Sequence, residues 1–165
     1  MPQEDGYINA AMERGIDLEP AAFAAYEAAT GHVVERTGFL AHSTYQAGCS
    51  LDGHVGEFEG IVELKCPKSA THYRYLKGGT IPSDYMPQLL HNLWVTGAEW
   101  AEFVSFDDRF PLDLQLFRIT LARDERLIFD YEKKALAFLA EVEMETLAMQ
   151  TMADVEHQLR QAVTA

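Results

Sequence analysis

At 165 residues with a formal net charge of −13, the chain is long enough for one domain that buries roughly two-thirds of its unfolded surface. At first sight that charge argues against nucleic acid as a partner, because neutralising phosphates needs Lys and Arg. No apolar run approaches the roughly 18 residues of a membrane span, and the start, MPQEDGYINA, lacks a signal-sequence pattern, so a soluble intracellular protein is expected.

Taken in chain order, "LEPAAFAAYEAATGH" is Ala-rich, with Phe23 and Tyr26 at helical spacing and Gly31 as a stop, which predicts a helix over about 18–30. "HVVERTGFLAH" reads as a strand leading toward the Asp52-Gly53 turn. "GHVGEFEGIVELKCP" reads as two antiparallel strands joined through Gly56 to Gly60, the second ended by Pro67. "KSATHYRYLKGG" is read as a basic and aromatic loop. Ser83-Asp84 and Gly97 bracket a helix over 84–96 with Pro87 in its first turn. Two strands follow, in "AEWAEFVSFD" and "LDLQLFRITLARD", and the pattern is helical again from Asp124 to about Gln161. The whole is expected to be a single α/β domain over residues 1–165, a mixed central sheet flanked by helices.

Charge is unevenly spread. Between Glu63 and Asp84 there is no acidic residue, and Lys65, Lys68, Arg74 and Lys77 fall there with Tyr73 and Tyr75 among them. The two cysteines, Cys49 and Cys66, have no CxxC or histidine spacing, and are expected to be reduced thiols packed as small apolar groups. Nothing in the spacing of His54, His72 and His91 is site-like.

Side chains alternate along a strand, so Ile61, Glu63 and Lys65 point one way while Val62, Leu64 and Cys66 point the other. A hairpin can bring the Asp52 turn next to Glu63 and Lys65. Two carboxylates and a lysine suit phosphodiester hydrolysis, in which a divalent ion needs hard oxygen ligands and the Leu64 carbonyl can complete its shell. Lys65 then either orients the attacking water or stabilises charge on the phosphate. The competing reading is a surface salt bridge worth about 0.2–1 kcal/mol. Spacing alone does not separate the two.

Four blocks, "RGIDLEPAAFAAYEAATG", "GCSLDG", "VELKCPK" and "YMPQLLHNLWVTGAEWAEFVSFDDRFP", together resemble the lambda-exonuclease-like (YqaJ-type) viral recombinase nucleases of the restriction-endonuclease-like PD-(D/E)XK superfamily. The resemblance implies a metal-dependent 5′-to-3′ exonuclease on double-stranded DNA ends, leaving 3′ tails for a single-strand annealing protein. It implies Mg²⁺, with Mn²⁺ as an alternative ion, held by Glu19, Asp52, Glu63 and Leu64, with Lys65 catalytic and Gln88 holding water or phosphate. It also implies a homotrimer, no membrane association, and the cytoplasm of a bacterial host with the gene carried by phage or prophage. Read without the resemblance, Glu19 is a helix-dipole carboxylate and Gln88 a solvated residue.

Arg14, Lys68, Arg74, Lys77 and Tyr73 are the candidates for holding DNA, the cations on phosphates and the tyrosine by stacking. An ordinary solvated loop is the alternative for the last four. Relatives carry a further segment ahead of the first block, with an arginine and hydroxyls for the 5′-phosphate; here eighteen residues precede Glu19, and this segment is expected to be missing. Arg14, the loop after Lys65 or a neighbouring subunit then supplies the grip, with Met12 as a candidate strand-splitting wedge. "SLDG" replaces the commoner "SPDG". Two other functions fit the same residues: a structure- or end-specific endonuclease, and a truncated, non-catalytic module that binds DNA ends or a partner.

Overall fold

The computed structural model describes residues 10–164, with side chains for 13–155 and 160; Met12 as a wedge lies outside the described side chains. The chain separates into two compact units, Met1–Ile128 and Phe129–Ala165.

The first unit is built on a five-stranded sheet in the order β1-β4-β5-β6-β7. The strands are β1 (Val34–Glu35), β4 (Gly53–Val55), β5 (Gly60–Lys65), β6 (Trp100–Phe106) and β7 (Leu116–Ala122). β5 and β6 run parallel and the other pairs antiparallel, so the sheet is mixed, as expected. Gly60 sets the start of the parallel pair: a β-carbon there would lie 2.0 Å from the Trp100 indole, its register partner, so only glycine lets the ring lie against the strand.

Helix α1 (Ala10–Thr30) covers one face. Its Ala22, Phe23 and Tyr26 pack with Val62, Leu64, Val104 and Phe106 in one core cluster, each large apolar side chain contributing about 1.5–3 kcal/mol on burial. The helix starts well before the expected residue 18. Pro20 lies inside it and removes the N–H that the Ile16 carbonyl would otherwise receive. The other face is covered by α3 (Met86–Thr96), whose Leu89, Asn92, Leu93 and Trp94 are buried; Pro87 stands at its start and a 3₁₀ turn, Ser83–Tyr85, precedes it.

Two segments differ from the sequence reading. The expected strand after residue 32 is split: Val34–Glu35 joins the main sheet, while β2 (Phe39–Ala41) pairs with β3 (Gly48–Ser50) in a separate hairpin. That hairpin stacks on α3, with Trp94 4.4 Å from the His42 ring and 5.7 Å from the Tyr45 ring. The expected basic loop is instead α2 (Ser69–Gly78), closed by Gly79 in the left-handed conformation at φ 62°, where a glycine is unstrained. His72, Tyr75 and Leu76 share the inward face of α2, and Tyr73, Arg74 and Lys77 the exposed one. His72 is fully buried: its Nε2 lies 2.8 Å from the Leu114 carbonyl and its Nδ1 2.8 Å from Ser105 Oγ. A carbonyl only accepts, so Nε2 carries the proton and Nδ1 receives the serine hydroxyl.

Helix α4 (Glu125–Thr164) is started by Asp124, whose carboxylate accepts the Arg126 N–H at 2.8 Å. The second unit consists of this helix from Phe129 onward. No helix among the described residues is long and apolar enough to cross a membrane.

Candidate active site

The ladder between β4 and β5 stops at Gly53 opposite Val62, because the chain before Gly53 turns away toward β3. Leu64 is therefore left without a main-chain partner on that edge. The Asp52 carboxylate fills the place: its Oδ2 accepts the Leu64 N–H at 2.7 Å. In a strand the N–H and C=O of one residue point to the same side, so the Leu64 carbonyl faces the same edge as Asp52.

On the sheet face under α3, Glu63 is 1% exposed, which rules out the surface salt bridge. Lys65 Nζ makes a short ion pair with Glu63 Oε1 and lies 3.8 Å from Asp52 Oδ2. Gln88 is exposed as a residue, yet its Nε2 donates to Glu63 Oε1 at 2.8 Å, so its amide end is tied to the site. Asn92, one helical turn on, reaches Glu63 Oε2 at 3.4 Å, and the Tyr85 ring lies 5.6 Å from the Lys65 ammonium. The sequence reading gave no role to Asn92 or Tyr85. The spacing of four between Gln88 and Asn92 on one helix is the sequence signal that points to Asn92.

Burial, and next the charge of Asp52, push the Glu63 carboxyl above the usual range, against the pull of Lys65. Burial pushes the Lys65 ammonium down, but attraction to Glu63 and then Asp52 outweighs it and leaves it raised. Lys65 is thus a firmly held counter-ion between two carboxylates.

A cleft of about 270 Å³ opens beside them, lined by Gly15, Ile16, Glu19, Asp52, Leu64, Lys65 and Cys66. Glu19 reaches this cleft from α1, and its Oε1 pairs with Arg36 at 2.8 Å. Among the described residues no three His, Cys, Asp or Glu side chains converge as a ready-made cation cage. The donor set nonetheless has the chemistry of one: hard oxygens from Asp52 and Leu64 on one strand edge, Glu19 across the cleft, and the buried carboxylate of Glu63 paired with Lys65.

Of the DNA-contact candidates, Lys68 is exposed and Tyr73, Arg74 and Lys77 lie on the outer face of α2. Arg14 lies on α1, next to the cleft-lining Gly15, with its Nη2 bound to Asp107 and Asp108. Both cysteines are free thiols, Cys49 buried and Cys66 half-buried in the cleft wall, where burial raises its pKa to about 11. His54 bonds the Gly56 carbonyl and His91 that of Gly48.

The profile of the YqaJ-like viral recombinase domain matches residues 1–99. The chain belongs to the YqaJ-like viral recombinase family. Its fold is also that of an alkaline exonuclease, LHK-Exo from Laribacter hongkongensis, with 42% identity over 89% of this chain and 76% of that one and a TM-score of 0.83. LHK-Exo in complex with dAMP gives 41% identity, 90% and 76% coverage, and a TM-score of 0.84. A phage-related exonuclease from Haemophilus somnus shares the fold at 16% identity and a TM-score of 0.59, covering 82% of this chain and 71% of that one. Comparison with curated proteins gives no match. The YqaJ match spans α1, β5 and the whole of α3, so it contains Glu19, Asp52, Glu63, Lys65 and Gln88.

Proposed function

We propose that this YqaJ-family protein is a metal-dependent deoxyribonuclease that degrades double-stranded DNA from its 5′ ends and leaves 3′ single-stranded tails. The observation that carries the reading is the convergence of Asp52, Glu63 and Lys65 on one strand end beside an open cleft, in a chain 42% identical to an alkaline exonuclease.

Asp52, Glu63 and the Leu64 carbonyl, with Glu19, are the groups that would hold Mg²⁺ or Mn²⁺. Such an ion supplies positive charge at the phosphate and makes water acidic enough to attack at neutral pH. The chain's own residues do the positioning. Asp52 is fixed by the Leu64 N–H, Glu63 by Gln88 and Asn92, so neither carboxylate has to be ordered when substrate arrives. Lys65 stands ready to donate to a phosphate oxygen or to a water, and Tyr85 walls off one side of it.

The exposed face of α2 supplies Tyr73, Arg74 and Lys77 to the DNA backbone, with Lys68 at its start. A local basic face on a body of net charge −13 fits a ring in which only the inner surface meets DNA, and a homotrimer is the corresponding assembly; an annealing protein is the expected recipient of the 3′ tail. Duplexes labelled separately at the 5′ and 3′ ends test the polarity. Early release of the 5′ label supports the proposal, and early release of the 3′ label contradicts it.

A further inference from the structure

The parallel strands β5 and β6 end on the same side of the sheet, the side on which open α/β sheets bind ligands. β5 ends in the cleft at Lys65. Just past the end of β6 stands Asp107, fully buried, with a carboxylate that collects donors from three separate segments. Arg14 on α1 reaches it with Nη2 at 3.1 Å. Arg109 gives its Nε and Nη2 at 2.8 Å each and its backbone N–H at 3.2 Å, and the Ser69 hydroxyl, at the first residue of α2, adds another. The neighbouring Asp108 is half-exposed and takes the Arg14 Nη2 at 2.6 Å.

This cluster sits at the rim of the cleft. Arg14 directly precedes Gly15 and Ile16, which line it, and the charges of Arg14, Asp107 and Asp108 all reach the thiol of Cys66, another wall residue. Long arginine side chains lose much rotamer freedom when held, and here one buried carboxylate holds two of them in advance. The planar guanidinium fork matches phosphate geometry. The charges decide which phosphate fits. Asp107 is sealed in and cancels one arginine permanently, whereas Asp108 is open to solvent and exchangeable. With Asp108 displaced, the rim keeps a single net positive charge, the complement of a singly charged diester and not of a doubly charged terminal phosphate.

We infer that Arg14 and Arg109, fixed by Asp107, bind one internal phosphodiester of the DNA strand at the mouth of the cleft, and that Asp108 is a built-in anion which that phosphate displaces. Asp107 is a positioning residue. The inference rests on the nuclease reading in that DNA is the ligand.

The test is equilibrium binding of blunt duplexes, with 5′-phosphate and with 5′-hydroxyl ends, to the full chain in chelator over a range of salt. Asp108→Ala should tighten binding about three- to tenfold, and Arg109→Ala should weaken it by a similar factor and lower the salt slope by about one, equally for both ends. Asp107→Asn should behave as Arg109→Ala does. Arg109 is 49% exposed, so its loss keeps the test decisive even where the Asp107 variant fails to fold. Unchanged affinity and slope in both Asp108→Ala and Arg109→Ala, with a wild type that binds, would overturn the rim alone. An effect confined to 5′-phosphate ends would overturn the assignment to an internal phosphate. A wild type that binds no duplex would overturn the rim and the nuclease reading together.

Discussion

The carboxylate of Asp52 takes the place of a missing main-chain partner, accepting the Leu64 N–H at 2.7 Å where β4 has left the sheet. One residue thereby satisfies the free strand edge on the side that the Leu64 carbonyl faces and puts its own charge beside Lys65. Asp52→Asn keeps the shape and removes the charge. Its thermal stability should fall by about 1–2 kcal/mol, the difference between a charged and a neutral hydrogen bond, while nuclease activity falls by about a hundredfold or more. Calorimetry and nucleotide release on the same preparation check both.

Glu63 makes the opposite stability prediction. Its carboxyl is held above the usual range by burial and by Asp52, so the folded state binds its proton more tightly than the unfolded chain does. The contribution to stability is then fully present below the unfolded value, about 4.3, and is lost as pH rises through the higher folded value. Glu63→Gln does not titrate. Its stability relative to the parent should therefore rise between pH 4 and pH 8, with cleavage abolished. Urea denaturation of both proteins at the two pH values measures this; a Gln variant that loses stability relative to the parent as pH rises would contradict it.

Asp107 has the reverse sign. Burial raises its carboxyl, but hydrogen bonds from Arg109 and Ser69 outweigh that and hold it well below the usual range. Its stabilisation is present above the unfolded value, about 3.9, and is lost as pH falls toward the folded one. Asp107→Asn should cost about 3 kcal/mol at pH 7, because a buried ionic hub loses its charge, and the gap to wild type should narrow below pH 3. Denaturation curves at both pH values are the check.

The two faces of α2 should separate cleanly. His72→Ala removes a fully buried ring with partners on both nitrogens and should cost about 2–4 kcal/mol. Arg74→Ala with Lys77→Ala should leave stability within about 0.5 kcal/mol and lower the salt slope of duplex binding by about two. Thermal melts and a salt titration of binding distinguish this helix from a solvated loop, in which all three substitutions would be neutral to stability.

Much of this was legible in the chain. The alternation Ile61-Val62-Glu63-Leu64-Lys65 placed the carboxylate and the lysine on one face because β5 is a regular strand, and the Ser83-Asp84 and Gly97 signals framed α3 because both ends use ordinary turn and cap chemistry. What periodicity could not supply was depth: Glu63 is buried because α3 lies over it, a tertiary fact. α2 was hidden by its short length, its cluster of cations and the Gly78-Gly79 pair, although the 72-75-76 spacing against 70-73-74-77 carried the helical signal. Pro20 concealed the first turns of α1 by standing inside the helix. The Asp107 hub was unreadable because its partners come from segments 93 residues apart in sequence.

The most direct measurement incubates the purified chain with linear 5′-phosphorylated duplex DNA and with a closed circle, each with Mg²⁺ and with chelator. Nucleotide release from the linear duplex alone, dependent on Mg²⁺ and absent in a folded Lys65→Ala variant, is the predicted result. Cutting of the circle, or release that persists in folded Lys65→Ala or in chelator, would contradict the account.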